Sequence, residues 1–350
     1  MKGTLFGLMA CALASTGLSA AAAATAHAAP AASAYKSPRN SFGQPDLSGS
    51  WSNETATRME RPAEFGERLV LTPAEVAKLE GARAESVAAA RAQGEAGKPE
   101  ASRAYCEKPE NTFAGGCAYN QTFYDGQTSV MRVGGQPRTS LVTFPANGRI
   151  PRRADFTRRP DGYGMGKRDN VEDRPLPDRC LVSQNISNGA LLNPTIYNNT
   201  YVFQQNRDVV AIVVEMSHDV RNIRLNAQHD NIPRWFGDSV GHWEGDTLVV
   251  DTINFHPQQL IFNSDKLHLI ERFTRVGPDR LLYQFRVEDP GVYSAPWGGE
   301  YEFNTSSKPQ YEYACHEGNY ALRGILAGAR AEEREGKASS TATAAVEGGE

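Results

Sequence analysis

Three strings decide the fold: VVAIVVEMSHDVRNIRLN (209–226), GDSVGHWEGDTLVVDTINF (237–255) and LHLIERFTRVGPDRLLYQFRVED (267–289). Apolar and polar residues alternate in parts of these strings, most plainly over 283–288, which is the period of a half-buried strand. Strands are expected over 201–205, 209–216, 220–226, 242–243, 247–255, 267–276, 280–288, 300–304 and 311–314. Asn206-Arg207-Asp208, Glu244-Gly245-Asp246 and Gly277-Pro278-Asp279 supply tight turns between neighbours. Short strands with local turns and no intervening helix predict an antiparallel up-and-down sheet. With about eight to ten strands and one buried face, closure into a β-barrel is the natural solution.

The stretch before the strands reads differently. Lys2, an apolar run and Ala26-His27-Ala28 form a signal-peptide pattern over 1–28, with cleavage near Ala28. The run dissolves into Ala, Thr and Ser, so it lacks the sustained apolarity of a membrane span. A soluble, exported, periplasmic protein is expected. Residues 29–45 are expected to be a flexible leader and 46–330 a single barrel domain, with 331–350 a disordered tail. Leu47-Ser48-Gly49-Ser50-Trp51 looks like the opening strand of a calycin-type barrel, where a Trp closes one end. Thr72-Pro73-Ala74-Glu75 is a helix start with a capping box, and the helix should cover about 73–93. Residues 140–145 read as one strand. Residues 146–180, dense in Arg, Asp, Pro and Gly, are expected to form a long loop. A second peripheral helix is expected over 319–334.

A net charge of −4 gives no basic excess for nucleic acid or anionic lipid. No stable membrane insertion is expected. Cys106, Cys117, Cys180 and Cys315 remain after cleavage, an even number that suggests two disulfides in an oxidising compartment. Three connectivities are possible. Cys106 with Cys117 and Cys180 with Cys315 is favoured, since the second pair ties the segment entering the sheet to the one leaving it.

Alternation selects the candidate site. Tyr283, Phe285 and Val287 share one strand face, and Gln284, Arg286 and Glu288 the other. Glu271 lies with Phe273, while His268 and Arg272 share the opposite face. Glu215, Ser217 and Asp219 are expected on one side, opposite Met216 and His218. Asp251 interrupts an apolar face of Val249, Ile253 and Phe255, so it must be paired or carry a raised pKa. Arg272 or Arg286 is its expected partner. His218 and His268 are the candidate bases, oriented by Glu215, Asp251 or Glu271. Arg272, Arg286, Trp243, Tyr283 and His316 are candidate ligand-binding residues. No H-E-x-x-H, H-x-H or C-x-x-C pattern marks a metal site, and no phosphate-loop or dinucleotide fingerprint is present. No cofactor or metal is therefore expected.

GDSVGHWEGDTLVVDTINF (237–255), LHLIERFTRV (267–276), LLYQFRVEDP (281–290) and YEYACHEGNYAL (311–322) together resemble a large group of exported bacterial proteins of uncharacterised function. In that group G-D-S-x-G-x-W-E-G-D-T-L-V-V, L-H-x-x-E-R-F and Y-A-C-H-E-G-N recur in this order. The similarity runs from about Pro45 to Arg330. It implies a lipocalin-like barrel and carries no catalytic residues with it.

The expected function is a cofactor-independent lyase or isomerase, acting by acid–base chemistry on a small, largely apolar and aromatic compound in the barrel cavity. The alternative is a periplasmic carrier of a small hydrophobic ligand. A structural envelope protein with a filled barrel is a third reading, and a metal-dependent hydrolase a fourth.

Overall fold

The structure is a computed structural model that describes residues 35–95, 125, 127–156, 168, 170–174, 176–182, 191–195, 198–257, 263–317 and 319–336. The signal-peptide pattern, Cys106 and Cys117 lie outside the described residues. The strands are β1 (Gly49–Ser52), β2 (Arg132–Val133), β3 (Gln136–Pro137), β4 (Val142–Phe144), β5 (Thr200–Gln205), β6 (Val209–Val214), β7 (Val220–Leu225), β8 (Asp238–Glu244), β9 (Thr247–Ile253), β10 (His268–Arg275), β11 (Arg280–Glu288) and β12 (Trp297–Thr305). The helices are α1 (Pro73–Glu95) and α2 (Tyr320–Arg334).

Strands β1 and β5 to β12 pair in the order β1-β5-β6-β7-β8-β9-β10-β11-β12, and β12 pairs back onto β1. The protein is a closed nine-stranded β-barrel with peripheral helices. Strand β4 lies on β12 as well, where Gly299 leaves room for it: a Cβ there would sit 2.1 Å from the Leu141 carbonyl oxygen.

The barrel is mixed rather than antiparallel throughout. Strands β7 and β8 run parallel, with Ile223 opposite Ser239 and Arg224 opposite Val240. The tight turns at 206–208, 244–246 and 277–279 do join antiparallel neighbours. Residues 226–237 cannot act as such a turn. Parallel neighbours need a connection of a dozen residues or so that returns to the starting end, and this one runs back outside the barrel. A second correction concerns 311–314, expected as a strand and found as irregular chain. The closed barrel offers it no free edge, because β12 already carries β1, β11 and β4. A third concerns β6, which stops at Val214. A short turn follows, with Ser217 in the left-handed region at φ 59°, so the alternation expected through Asp219 breaks there.

Inward side chains fill the barrel. Tyr201, Phe203, Phe273, Tyr283, Phe285, Tyr301 and Phe303 are each at most 3% exposed and touch ring to ring, with Phe273 and Tyr283 centroids 4.9 Å apart. Trp51 is buried toward one end, its Nε1 donating to the Leu47 carbonyl at 2.9 Å and the Arg275 guanidinium lying 5.4 Å from its ring.

One ion pair stands among these apolar groups. Arg221 on β7 donates to both carboxylate oxygens of Glu271 on β10, through Nη1 at 3.0 Å and through Nη2. Its Nε donates to Ser239 Oγ at 3.0 Å and its Nη2 to Thr252 Oγ1 at 2.9 Å. Tyr283 donates its hydroxyl to Glu271 at 2.8 Å. Both charged side chains are essentially buried.

Outside the barrel, Thr72 and Glu75 form the expected capping box of α1, with Thr72 N donating to Glu75 at 2.8 Å and Glu75 N to Thr72 Oγ1 at 3.3 Å. Asn319 caps α2 by accepting from Leu322 N. The Cys180–Cys315 disulfide, closed across 135 residues of chain, anchors the segment before α2. Before β1, Arg39 and Pro45 form an isolated bridge.

Removing one half of a buried pair strands the other charge, at a typical cost of roughly 3–5 kcal/mol. Arg221→Met should destabilise the protein by that order in urea unfolding, and the double variant Arg221→Met/Glu271→Leu should recover much of the loss. A single variant within about 0.5 kcal/mol of wild type would contradict the pairing.

Candidate functional site

The outward residues of the same strands form a second network. The β7–β8 connection lays His229 over β8 and β9. Its Nδ1 lies 3.2 Å from Asp238 Oδ2 and its Nε2 lies 3.0 Å from Asp251 Oδ1. The other oxygen of Asp251 meets His268 Nε2 at 2.9 Å. One carboxylate thus serves two imidazoles.

Register explains the surroundings of Asp251. Val240, Asp251, Ile270 and Arg286 stand in one row across β8, β9, β10 and β11. Along β9, Val249 and Ile253 flank Asp251 on the same face. A carboxylate is thereby set among four apolar side chains. It stays accessible: the side chains of Asp251, His268 and His229 are 43%, 31% and 25% exposed.

These neighbours shift proton affinities. The hydrogen bond to Asp251 raises the pKa of His268 above its ordinary 6.5, against the opposing effect of burial. The same bond lowers the pKa of Asp251, outweighing the cost of burying its charge. His268 Nε2 faces a carboxylate and so carries the proton of that bond. Its Nδ1 faces Glu288 Oε2 at 3.7 Å, longer than an ordinary hydrogen bond, and that carboxylate adds to the upward shift of His268. Glu288 is held by Arg286 Nε at 2.6 Å.

Asp238 anchors the connection. Burial pushes its pKa up, but the Asp230 amide, Arg224 and His229 together hold it below the usual value. Arg224 Nη2 donates to it at 2.7 Å, and Arg234 Nη1 lies at 3.0 Å. Gly237 precedes it with φ +73°, and a Cβ there would lie 2.6 Å from Thr252 Cγ2. Trp235 rests against His256 with ring centroids 4.1 Å apart.

The structure brings some expected residues together and separates others. His268 and Asp251 meet. Glu271 points into the barrel and Tyr283 is buried with it, so neither reaches the outer face. The Asp251 partners are imidazoles rather than Arg272 or Arg286. Arg272 pairs with Glu244 at 2.8 Å, and Arg286 engages Glu288. Glu215 is buried, accepts from Thr200 N at 3.1 Å and has a pKa raised by burial. The side chain of His218 lies outside the described residues. Burial pushes neighbouring Asp219 up to about 7, and its Oδ2 has no hydrogen-bond partner among the described residues. Trp243 is half-buried with no hydrogen-bond partner for its Nε1 among the described residues, and His316 is exposed in the turn before α2. Among the described residues no cluster of His, Cys, Asp and Glu has metal-binding geometry.

Sequence reasoning missed Arg221, Asp238 and His229 as site-building residues. Arg221 shares a strand face with Ile223 and Leu225, so its inward direction is readable in the chain. His229 has no comparable signal, since its position follows from the parallel junction.

The chain matches no family model, and no curated protein matches it. None of the described helices is long and apolar enough to cross a membrane.

The shifts fix a pH signature. Asp251, held low, contributes stability above its ordinary 3.8 and loses it as pH falls through its lower folded value. His268, held high, contributes fully below 6.5 and loses this as pH rises through its folded value. Exposure limits the pair to about 1 kcal/mol or less. The stability lost in His268→Gln should therefore be largest between pH 3.8 and 6.5 and shrink at higher pH. Urea unfolding across that range measures it, and a pH-independent difference would contradict the pairing.

Proposed function

We propose that the protein is a cofactor-independent acid–base enzyme, a lyase or isomerase, acting on a small, largely apolar compound at the outer face of β8 to β11. The observation that carries this reading is the His268–Asp251 pair set within the apolar patch of Val240, Val249, Ile253 and Ile270. The barrel interior is filled by side chains, so the reading moves from the expected cavity to this face. A filled barrel also suits a structural protein. A half-exposed carboxylate–imidazole pair on apolar ground is the feature that a purely structural role leaves unexplained.

The chemistry follows from the geometry. His268 Nδ1 takes a proton from a carbon beside a carbonyl or carboxylate, and the electron pair of the broken C–H bond passes into that group. Asp251 holds Nε2–H and stabilises the imidazolium that forms. Proton transfer of this kind contributes about 10²–10⁴-fold. Arg286 gives its Nε to Glu288 and lays its guanidinium 5.8 Å from the Phe144 ring centroid, and its Nη groups are proposed to hold the ligand's polar end. Its strand lies two spacings from β9, about 10 Å, which suits a compound of roughly one aromatic ring. Export to the periplasm belongs to the same reading, and the Cys180–Cys315 disulfide supports an oxidising compartment.

Hydrogen–deuterium exchange tests it. Small aromatic carbonyl and carboxylic compounds are incubated with the protein in D₂O, and loss of the C–H signal is followed by NMR. Wild type should exchange a subset, faster as pH rises above 6.5 and His268 gives up its proton. His268→Asn should slow exchange by about 100-fold or more. Equal exchange in the variant would remove His268 from the role, and binding without exchange would favour the carrier.

A further inference from the structure

The proposed base has a second imidazole behind it that the proton transfer does not use. His229 lies on the β7–β8 connection, and both its ring nitrogens are engaged by carboxylates. Neither nitrogen can face a substrate. Carboxylates only accept hydrogen bonds, so both contacts are made at once only by the doubly protonated ring. His229 thus bridges two carboxylates, bonded to one oxygen of Asp251 while His268 takes the other.

We infer that His229 is a positioning residue that fixes the Asp251 carboxylate toward His268 and sets how firmly Asp251 holds the His268 proton. The inference rests on the reading of His268 and Asp251 as the acid–base pair and assigns the residue that tunes it.

Three features of the geometry support this. First, Asp251 stands on apolar ground, so nothing beside it on its own face competes for its oxygens: its flanking residues are Val249 and Ile253, and its cross-strand neighbours are Val240 and Ile270. The two imidazoles therefore decide where the carboxylate points. Second, His229 is itself held rigidly. Asp238, which receives its Nδ1–H, is buried and also bound by Arg224, Arg234 and the Asp230 amide. The connection is further tied by Arg234 to Asp230 and by Arg224 Nη2 to the Gln228 carbonyl at 3.0 Å. Third, the charges around His229 are arranged on every side. Asp238 faces it from β8, Asp251 from β9 and Arg224 from β7, with Asp230 and Arg234 on its own segment. Across Asp251 stands His268 on β10, backed by Glu288 and Arg286 of β11.

The sign of the coupling follows. The Nε2–H of His229 draws on the same carboxylate that binds the His268 proton. Removing it frees Asp251 to bind His268 more strongly, so His268 should hold its proton to higher pH. The effect passes through Asp251, and it should vanish when Asp251 cannot transmit it.

The test is a double-mutant cycle read by NMR titration of the His268 ring proton, a readout that needs no substrate and no turnover. His229→Gln should move the His268 midpoint upward relative to wild type. In the Asp251→Asn background the same His229→Gln change should leave the His268 midpoint where Asp251→Asn alone puts it. His229→Asn, with a shorter side chain, should repeat the upward shift, so the result does not depend on one variant folding well. An unchanged midpoint in both single variants would overturn the inference. So would an equal shift with and without Asp251, because His229 would then act as a distant charge. Failure of the exchange chemistry, by contrast, would leave this titration result intact and count only against the catalytic reading.

Discussion

The Arg221–Glu271 ion pair spans the one place where the barrel departs from antiparallel order. Arg221 belongs to β7, Ser239 to β8, Thr252 to β9, Glu271 to β10 and Tyr283 to β11, so its hydrogen bonds run across five consecutive strands and over the parallel β7–β8 junction. A buried pair of this kind need not outdo an apolar core in stability. Its consequence here is register. A one-residue slip of β10 would turn Glu271 out to solvent and carry Ile270 or Arg272 inside, leaving Arg221 buried without its partner.

Inner and outer networks are two sides of the same backbone. Asp238 points outward and Ser239 inward. Asp251 points outward and Thr252 inward. On β10, His268 and Ile270 face out while Leu269 and Glu271 face in. The side chains that bind Arg221 therefore sit one residue from those that form the outer cluster. Acid–base groups mounted on central strands, pinned from behind by a fully bonded network, are held more firmly than groups on loops. The parallel junction supplies the remaining part, since only a connection returning outside the barrel could bring His229 onto Asp251.

Much of this was readable in the chain. Alternation in 280–288 and 267–276 assigned the faces of Tyr283, Phe285, Glu271 and His268, and the Gly- and Asp-containing turns located the hairpins. The capping residues Thr72 and Glu75 marked the start of α1. The odd placement of Asp251 among Val249 and Ile253 identified it as a residue needing a partner. That partner was not readable, because it depends on which strands neighbour one another. Strand order within a sheet is a long-range property, and nothing in 226–237 announces that β7 and β8 run parallel. The same limit hid the fate of 311–314, whose alternating aromatics suggest a strand but find a barrel already closed.

The most direct measurement of the central claim is native mass spectrometry of the protein isolated from its own host, with metal analysis on the same sample. The outer-face account predicts a protein free of stoichiometric metal that carries, in part, a small apolar compound, and that loses this compound when Ile270→Glu places a charge in the apolar patch. Stoichiometric zinc or iron would contradict it by making His229 and His268 ligands rather than positioning residue and base. A bound compound retained in full by the Ile270→Glu variant would contradict it as well, by locating the ligand elsewhere on the barrel.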